Sequence, residues 1–294
     1  MTSTAGPRPD AVPLGTRRER VVLASDESPG TIAAARWLAR RSERRPLAIE
    51  VAVVARGPHG EDRTGPGAEA AEGVAWAVRE YLDARIPSAR TTIRVLDGGI
   101  AAALTREAGG ADLLVLGCNR TAVWQHLPLA TRAVRVAERA AVPTVVVPAS
   151  WRPGDGVVVA ALGAEDVGPV VDAAAEEAER AGRGLQLVGS AMIPWLTAPA
   201  ALWLPAGERT DAAGDRPVDA AAERVRAAHP GLTVGTDLAR DGLLPSLLEH
   251  AASAELLVIG VPTGPRFGSV LRGVLEHAPC PVEVVPVPRA ARGQ

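Results

Sequence analysis

The sequence predicts an α/β protein made of two tandem open parallel sheets, each of five strands with helices on both faces. Three observations predict it. Near-continuous apolar runs of strand length alternate with stretches of helical periodicity, the pattern of a parallel sheet covered on both sides. The alternation runs through once and then begins again. The 294 residues leave room for two cores at about 150 residues each.

The elements follow in order. Residues 20–25 are a short apolar run closed by the turn signal Asp-Glu-Ser-Pro-Gly at 26–30. Residues 31–45 read as a helix, with Ile32, Ala35 and Leu38 near helical spacing. Its end carries Arg40, Arg41, Arg44 and Arg45, cations that suit a helix C-terminus. Residues 49–55 are a second strand, 56–67 a Gly/Pro-rich loop and 68–85 a second helix. A third strand (91–96), third helix (100–108), fourth strand (112–117), fourth helix (132–140) and fifth strand (143–148) complete the first half.

Residues 149–156 form a linker, and the pattern restarts. Residues 157–160, 170–181 and 185–188 match the first strand, first helix and second strand, while 255–260 and 281–286 match strands four and five. Gly99 stands 18 positions before Gly117, as Gly242 stands 18 before Gly260. A duplication is the simplest reading, with domains at 18–149 and 155–288 and flexible tails at 1–17 and 289–294.

Composition narrows the function. Hydrophobic residues make up 47% but aromatics only 3%, so aliphatic side chains fill the cores. The net charge of -2 makes no electrostatic case for binding nucleic acid or a membrane. All basic residues are arginine, which excludes a Walker-type phosphate loop and Schiff-base chemistry, since both need lysine. Cys118 and Cys280 fall at non-equivalent places, which is neither a disulfide framework nor a zinc cluster. With no signal-like or membrane-length apolar stretch, the expectation is a cytoplasmic protein.

The motifs are more specific. The first half opens Val21-Val-Leu-Ala-Ser-Asp-Glu-Ser-Pro-Gly30 and closes with Gly117, Ala130-Thr131 and Ala-Val-Pro-Thr-Val-Val-Val-Pro148. The second closes with Gly260, Gly268-Ser269 and His277-Ala-Pro-Cys-Pro-Val282. These resemble the universal stress protein domain in tandem form, over nearly all of residues 20–288. The resemblance implies a Rossmann-like, adenine nucleotide alpha hydrolase-like sheet and often a bound ATP or AMP. It also implies that fifth strands pair edge to edge, as an intramolecular pseudo-dimer or a homodimer, covering strands that would otherwise be sticky.

Nucleotide-binding members carry Gly-x-x-Gly followed nine residues on by Gly-Ser or Gly-Thr. Glycines let backbone N–H groups approach phosphate, and the hydroxyl residue opens a helix whose N-terminus favours an anion. An Asp at the end of strand one helps hold the nucleoside. Neither half carries the full set. The first has Asp26, Gly117 and Thr131, with Arg120 and Ala130 in the places of glycines. The second has Gly260, Gly264, Gly268 and Ser269 on a loop five residues shorter, with Leu162 in the place of Asp26. Each candidate has a plainer reading: Asp26, Thr131 and Ser269 as helix caps, Gly264 and Gly268 as turn glycines.

Arg132, Arg135 and Arg139 share a helical face, read as a solvated charged face in preference to an anion patch with Arg120. Cys118 is placed near the surface and Cys280 in the core. His126 and Trp124 lie in a loop without clustered metal partners, and His277 is structural. The apolar, proline-interrupted run 193–205, with Trp195 and Trp203, either covers its own domain or caps a pocket or interface.

No nucleophile elbow, zinc-protease motif or acid–base pair appears, so an enzyme is not expected. The expected function is a soluble stress-response regulator binding an adenine nucleotide in the first half. The alternatives are a scaffold whose degenerate loops bind partners without nucleotide and, further off, a weak nucleotide hydrolase.

Overall fold

Among the described residues, ten strands and eight helices are ordered β1 (Glu19–Ala24), α1 (Pro29–Ser42), β2 (Leu47–Val54), α2 (Pro66–Arg85), β3 (Arg90–Leu96), α3 (Ile100–Ala108), β4 (Leu113–Cys118), α4 (Leu129–Arg139), β5 (Thr144–Pro148), β6 (Val158–Leu162), α5 (Gly168–Ala181), β7 (Leu185–Ser190), α6 (Pro217–Ala228), β8 (Val234–Ala239), α7 (Leu243–Ala251), β9 (Leu256–Pro262), α8 (Ser269–His277) and β10 (Val282–Val287). This computed structural model describes residues 17–26, 28–54, 66–119, 129–163, 168–190, 217–239, 242–262 and 269–287.

The two five-stranded parallel halves that the sequence predicts meet edge to edge through their fifth strands. They form one sheet in the order β3-β2-β1-β4-β5-β10-β9-β6-β7-β8. Pairing is parallel within each half and antiparallel at the join, where β5 meets β10. The order within the halves is the same, and so is the register. Val147 pairs with Gly117, and Val285 pairs with Gly260. The chain between these partners is five residues shorter in the second half, the deficit expected from the loop lengths.

The join has three paired positions: Val282 with Val146, Glu283 with Val145, and Val284 with Thr144. Since Val145 and Glu283 occupy equivalent places in their strands, the pairing is symmetric about them. Apolar side chains on both faces explain why the interior strands read as unbroken hydrophobic runs. One face carries a core with Leu23, Val51, Val147, Leu187 and Val258 under α1, α2, α5 and α6. The other packs Leu114, Val146 and Leu257 against α3, α4, α7 and α8. Each fully buried leucine contributes about 1.5–3 kcal/mol.

The first helix begins at Pro29, whose fixed φ and missing N–H suit a first turn. It ends at Ser42, short of the predicted Arg45. In the linker, Trp151 is buried, and Arg40 donates to the Gly154 carbonyl at 2.6 Å. The tails, apart from Arg17, and the Trp195/Trp203 run lie outside the described residues, as do Trp124 and His126.

Candidate functional site

In an open parallel sheet the ligand crevice lies beyond the carboxyl ends of the strands, where the order reverses. Here that is between β1 and β4 in the first half, and between β6 and β9 in the second. Ala24 pairs with Leu116, so Ser25 is level with Gly117 and Asp26 lies just beyond. The topology thus brings Asp26 and Gly117 to the two sides of the first-half crevice.

Their surroundings are specific. The Thr31 hydroxyl donates to Asp26 Oδ1 at 2.9 Å, and the Asp26 N–H donates back to Thr31 Oγ1 at 3.0 Å. The Ser28 N–H also donates to Oδ1, at 3.0 Å. Asp26 therefore organises the turn into α1, while Ser28, the N-cap, makes no side-chain cap bond. The carboxylate remains exposed at the mouth. Beside it the Ser25 hydroxyl is buried with no hydrogen-bond partner.

Gly117 meets the first turn of α1 backbone to backbone. A Cβ there would lie 2.1 Å from the Gly30 carbonyl carbon, and one on Gly30 would lie 2.8 Å from the Cys118 nitrogen. The two glycines let helix and strand touch, a packing role that the sequence reading did not give Gly30. The signal was present in the Pro29-Gly30 helix start.

In the second half the register corrects one expectation. Ala161 pairs with Ile259, so Leu162 is level with Gly260 and takes the place of Ser25. Gly163, not Leu162, holds the place of Asp26. Against Gly260 lie side chains: a Cβ there would be 2.6 Å from Val170 Cγ2 and 3.0 Å from Val287 Cγ2.

The remaining candidates divide. Ala130 and Thr131 fall inside α4, which starts at Leu129, so Thr131 is not the N-cap. Ser269 is the first residue of α8 rather than its cap. Arg120, Gly264 and Gly268 lie outside the described residues. Arg135 and Arg139 are exposed, as expected. Cys118, expected near the surface, is buried at 5% exposure because β4 is covered on both faces, and Cys280 is buried too. His277 Nδ1 lies 3.0 Å from the Gly273 carbonyl oxygen, within its own helix.

Sequence reasoning missed an ionic cluster at the join. Arg41, read from the sequence only as a cation suited to the helix C-terminus, is buried at 9% exposure. Its Nε and one terminal nitrogen donate to Glu19 at 2.8 Å, and its terminal nitrogens donate to Glu177 at 2.7 and 2.8 Å. Arg180 also bonds Glu177. Burial opposes the charge on Arg41, but Glu177 and Glu19 more than offset it and hold the guanidinium charged. Burial likewise opposes ionisation of Glu177, and Arg41 and Arg180 keep it below the usual carboxylate range.

Glu283, 3% exposed, sits beside them with Oε2 unpartnered. Burial and then the charge of Glu177 push it up to about 8, against the pull of Arg41 and Arg180. Cavities of about 140 and about 230 Å³ adjoin this cluster, and one of about 490 Å³ lies among Asp219, Asp237 and Glu249. None of the three is lined by Asp26 or Gly117. Among the described residues no His, Cys, Asp and Glu group is placed to hold a metal. Among them, too, no helix is long and apolar enough to cross a membrane.

Strand order, parallel halves and a crevice at the β1/β4 reversal define an open Rossmann-like α/β protein. Within that class, residues 17–148 match the Universal stress protein family model. A universal stress protein from Archaeoglobus fulgidus DSM 4304 is similar in fold, with TM-score 0.67 and 15% identity over 91% of this chain and 98% of that one. A functionally unknown protein from Pseudomonas aeruginosa PAO1 has TM-score 0.52 and 15% identity, covering 92% of both chains. A universal stress protein from Archaeoglobus fulgidus solved in complex with dAMP covers 44% of this chain and 97% of its own, at 25% identity and TM-score 0.30. No curated protein matches the chain.

Proposed function

We propose that this protein is a non-catalytic stress-response regulator whose first half binds an adenine nucleotide, ATP or AMP. The observation that carries the reading is the placement of Asp26 and Gly117 on opposite sides of the β1/β4 reversal, at the carboxyl ends of their strands. A carboxylate held by Thr31 and Ser28 is already oriented to accept hydrogen bonds from a ribose. The N-terminus of α1 and the buried, unpartnered Ser25 hydroxyl add donors at the same end. The absence of lysine and of an acid–base pair in the sequence supports binding without turnover. Buried thiols at Cys118 and Cys280 suit a reducing cytoplasm.

Mass spectrometry of small molecules released on denaturing the purified protein tests the reading. Stoichiometric AMP or ATP is expected, together with a thermal shift in Mg-ATP. Asp26→Ala should weaken binding by about tenfold to a hundredfold. Empty protein with no thermal shift, or unchanged affinity in the variant, counts against nucleotide binding through Asp26. Steady phosphate release above a buffer control would overturn the non-catalytic part.

A further inference from the structure

We propose that the chain has a single nucleotide-competent crevice, and that Leu162, Val170 and Val287 close the second-half crevice against the ligand that the first half takes. The inference rests on the reading above and adds its stoichiometry and the residues that set it. Register makes the comparison position by position. Ser25 and Leu162 are level with Gly117 and Gly260, and Ala149 and Val287 each lie two residues past the strand partner of that glycine. Gly30 and Val170 are the helix residues set against the two glycines.

At all three places the second half carries the larger, apolar side chain. Leu162, Val170 and Val287 are each at most 5% exposed and belong to one continuous core cluster. Side-chain methyls of Val170 and Val287 pack against Gly260, and the backbone of Gly30 packs against Gly117. Polarity changes with volume. The first half keeps a buried hydroxyl without a partner, 8% exposed, at the level where the second half has Leu162. It also has a carboxylate where the second half has Gly163. A nucleoside entering the second crevice would have to displace packed aliphatic side chains, and would find neither Ser25 nor Asp26 as partner. The retained Gly260 on β9 therefore does not make it a second site.

Equilibrium dialysis of the full chain against Mg-ATP and against AMP reads this directly. One nucleotide per chain is expected, weakened in Asp26→Ala. Copying the closure into the first half with Ser25→Leu should reduce affinity by about tenfold to a hundredfold, with the circular dichroism spectrum unchanged. Two nucleotides per chain, or one that Asp26→Ala leaves at full affinity, would overturn the inference while sparing nucleotide binding by the chain. Full affinity in a folded Ser25→Leu would overturn it as well. If Ser25→Leu does not fold, the wild-type stoichiometry and the Asp26→Ala result still decide. Absence of any binding by the wild type sinks the nucleotide reading and this inference together.

Discussion

At the third strand and third helix, the two halves build the same bridge with opposite polarity. In the first, Arg94 of β3 meets Glu107 of α3 at 3.4 Å. In the second, Asp237 of β8 meets His250 of α7 at 2.8 Å. The sheet registers make Arg94 and Asp237 equivalent, and likewise Glu50 of β2 and Gln186 of β7. The fold thus asks for a link between strand and helix and is indifferent to its sign. What the sign decides is titration. Burial, with Glu107 nearby, raises Glu50 to about 7. Gln186 carries no charge to raise, and the hydrogen bond from His250 holds Asp237 below its ordinary range. The same unequal treatment recurs at the fourth-strand glycines and at Val145 opposite Glu283.

Four perturbations break or sharpen this comparison. The largest effect belongs to Glu283. With a folded pKa of about 8 against about 4.3 when unfolded, the native state holds the extra proton. Stability is fully present below the unfolded value and is lost as pH rises through the folded one. Urea titrations should lose stability on the order of a few kcal/mol across that window, and Glu283→Gln should flatten the curve. An equal slope in the variant would show that the proton sits elsewhere.

Next comes the glycine pair. Gly117→Ala drives a methyl into helix backbone, whereas Gly260→Ala meets only valine methyls that can turn. Thermal denaturation should show a loss of about 3 kcal/mol for the first and about 1 kcal/mol for the second. Equal losses would remove the distinction between the crevices. Glu50→Gln, which gives the first half the second half's amide, should remove a shallower slope that falls as pH rises toward about 7. The smallest effect is expected from Asp237→Asn, a few tenths of a kcal/mol because the pair is partly exposed. The contribution of Asp237 is present above the ordinary carboxylate range and vanishes as pH falls through its lowered pKa, so the variant should match wild type in acid.

Much of the architecture was legible in the residues. Aliphatic runs such as Leu113-Leu-Val-Leu-Gly117 and Leu256-Leu-Val-Ile-Gly260 announce strands buried on both faces, and their shared distance from Gly99 and Gly242 carried the register across the chain. The elements between Val188 and Glu255 went unassigned. The edge strand β8 is only partly buried and carries Gly235 and Asp237, which blur any apolar period. Asp26 and Gly117 could be named because each belongs to a local motif. Arg41 could not, because its second carboxylate, Glu177, lies 136 residues away. Gly30 escaped for a related reason: its need to be glycine is set by Gly117, a residue on another element. Leu162 was misplaced by one position because apolar runs carry no internal mark of register, whereas strand pairing does.

The join itself has a further consequence. When two identical chains pair about a twofold axis, whatever lies on that axis faces its own copy, so an acid placed there would confront another acid. Residues 145 and 283 stand at that position, but they belong to one continuous polypeptide and are free to differ. A valine can therefore receive a carboxyl group at the very centre of the sheet. Linking the halves covalently has opened to mutation the one location that a symmetric pair must keep uniform.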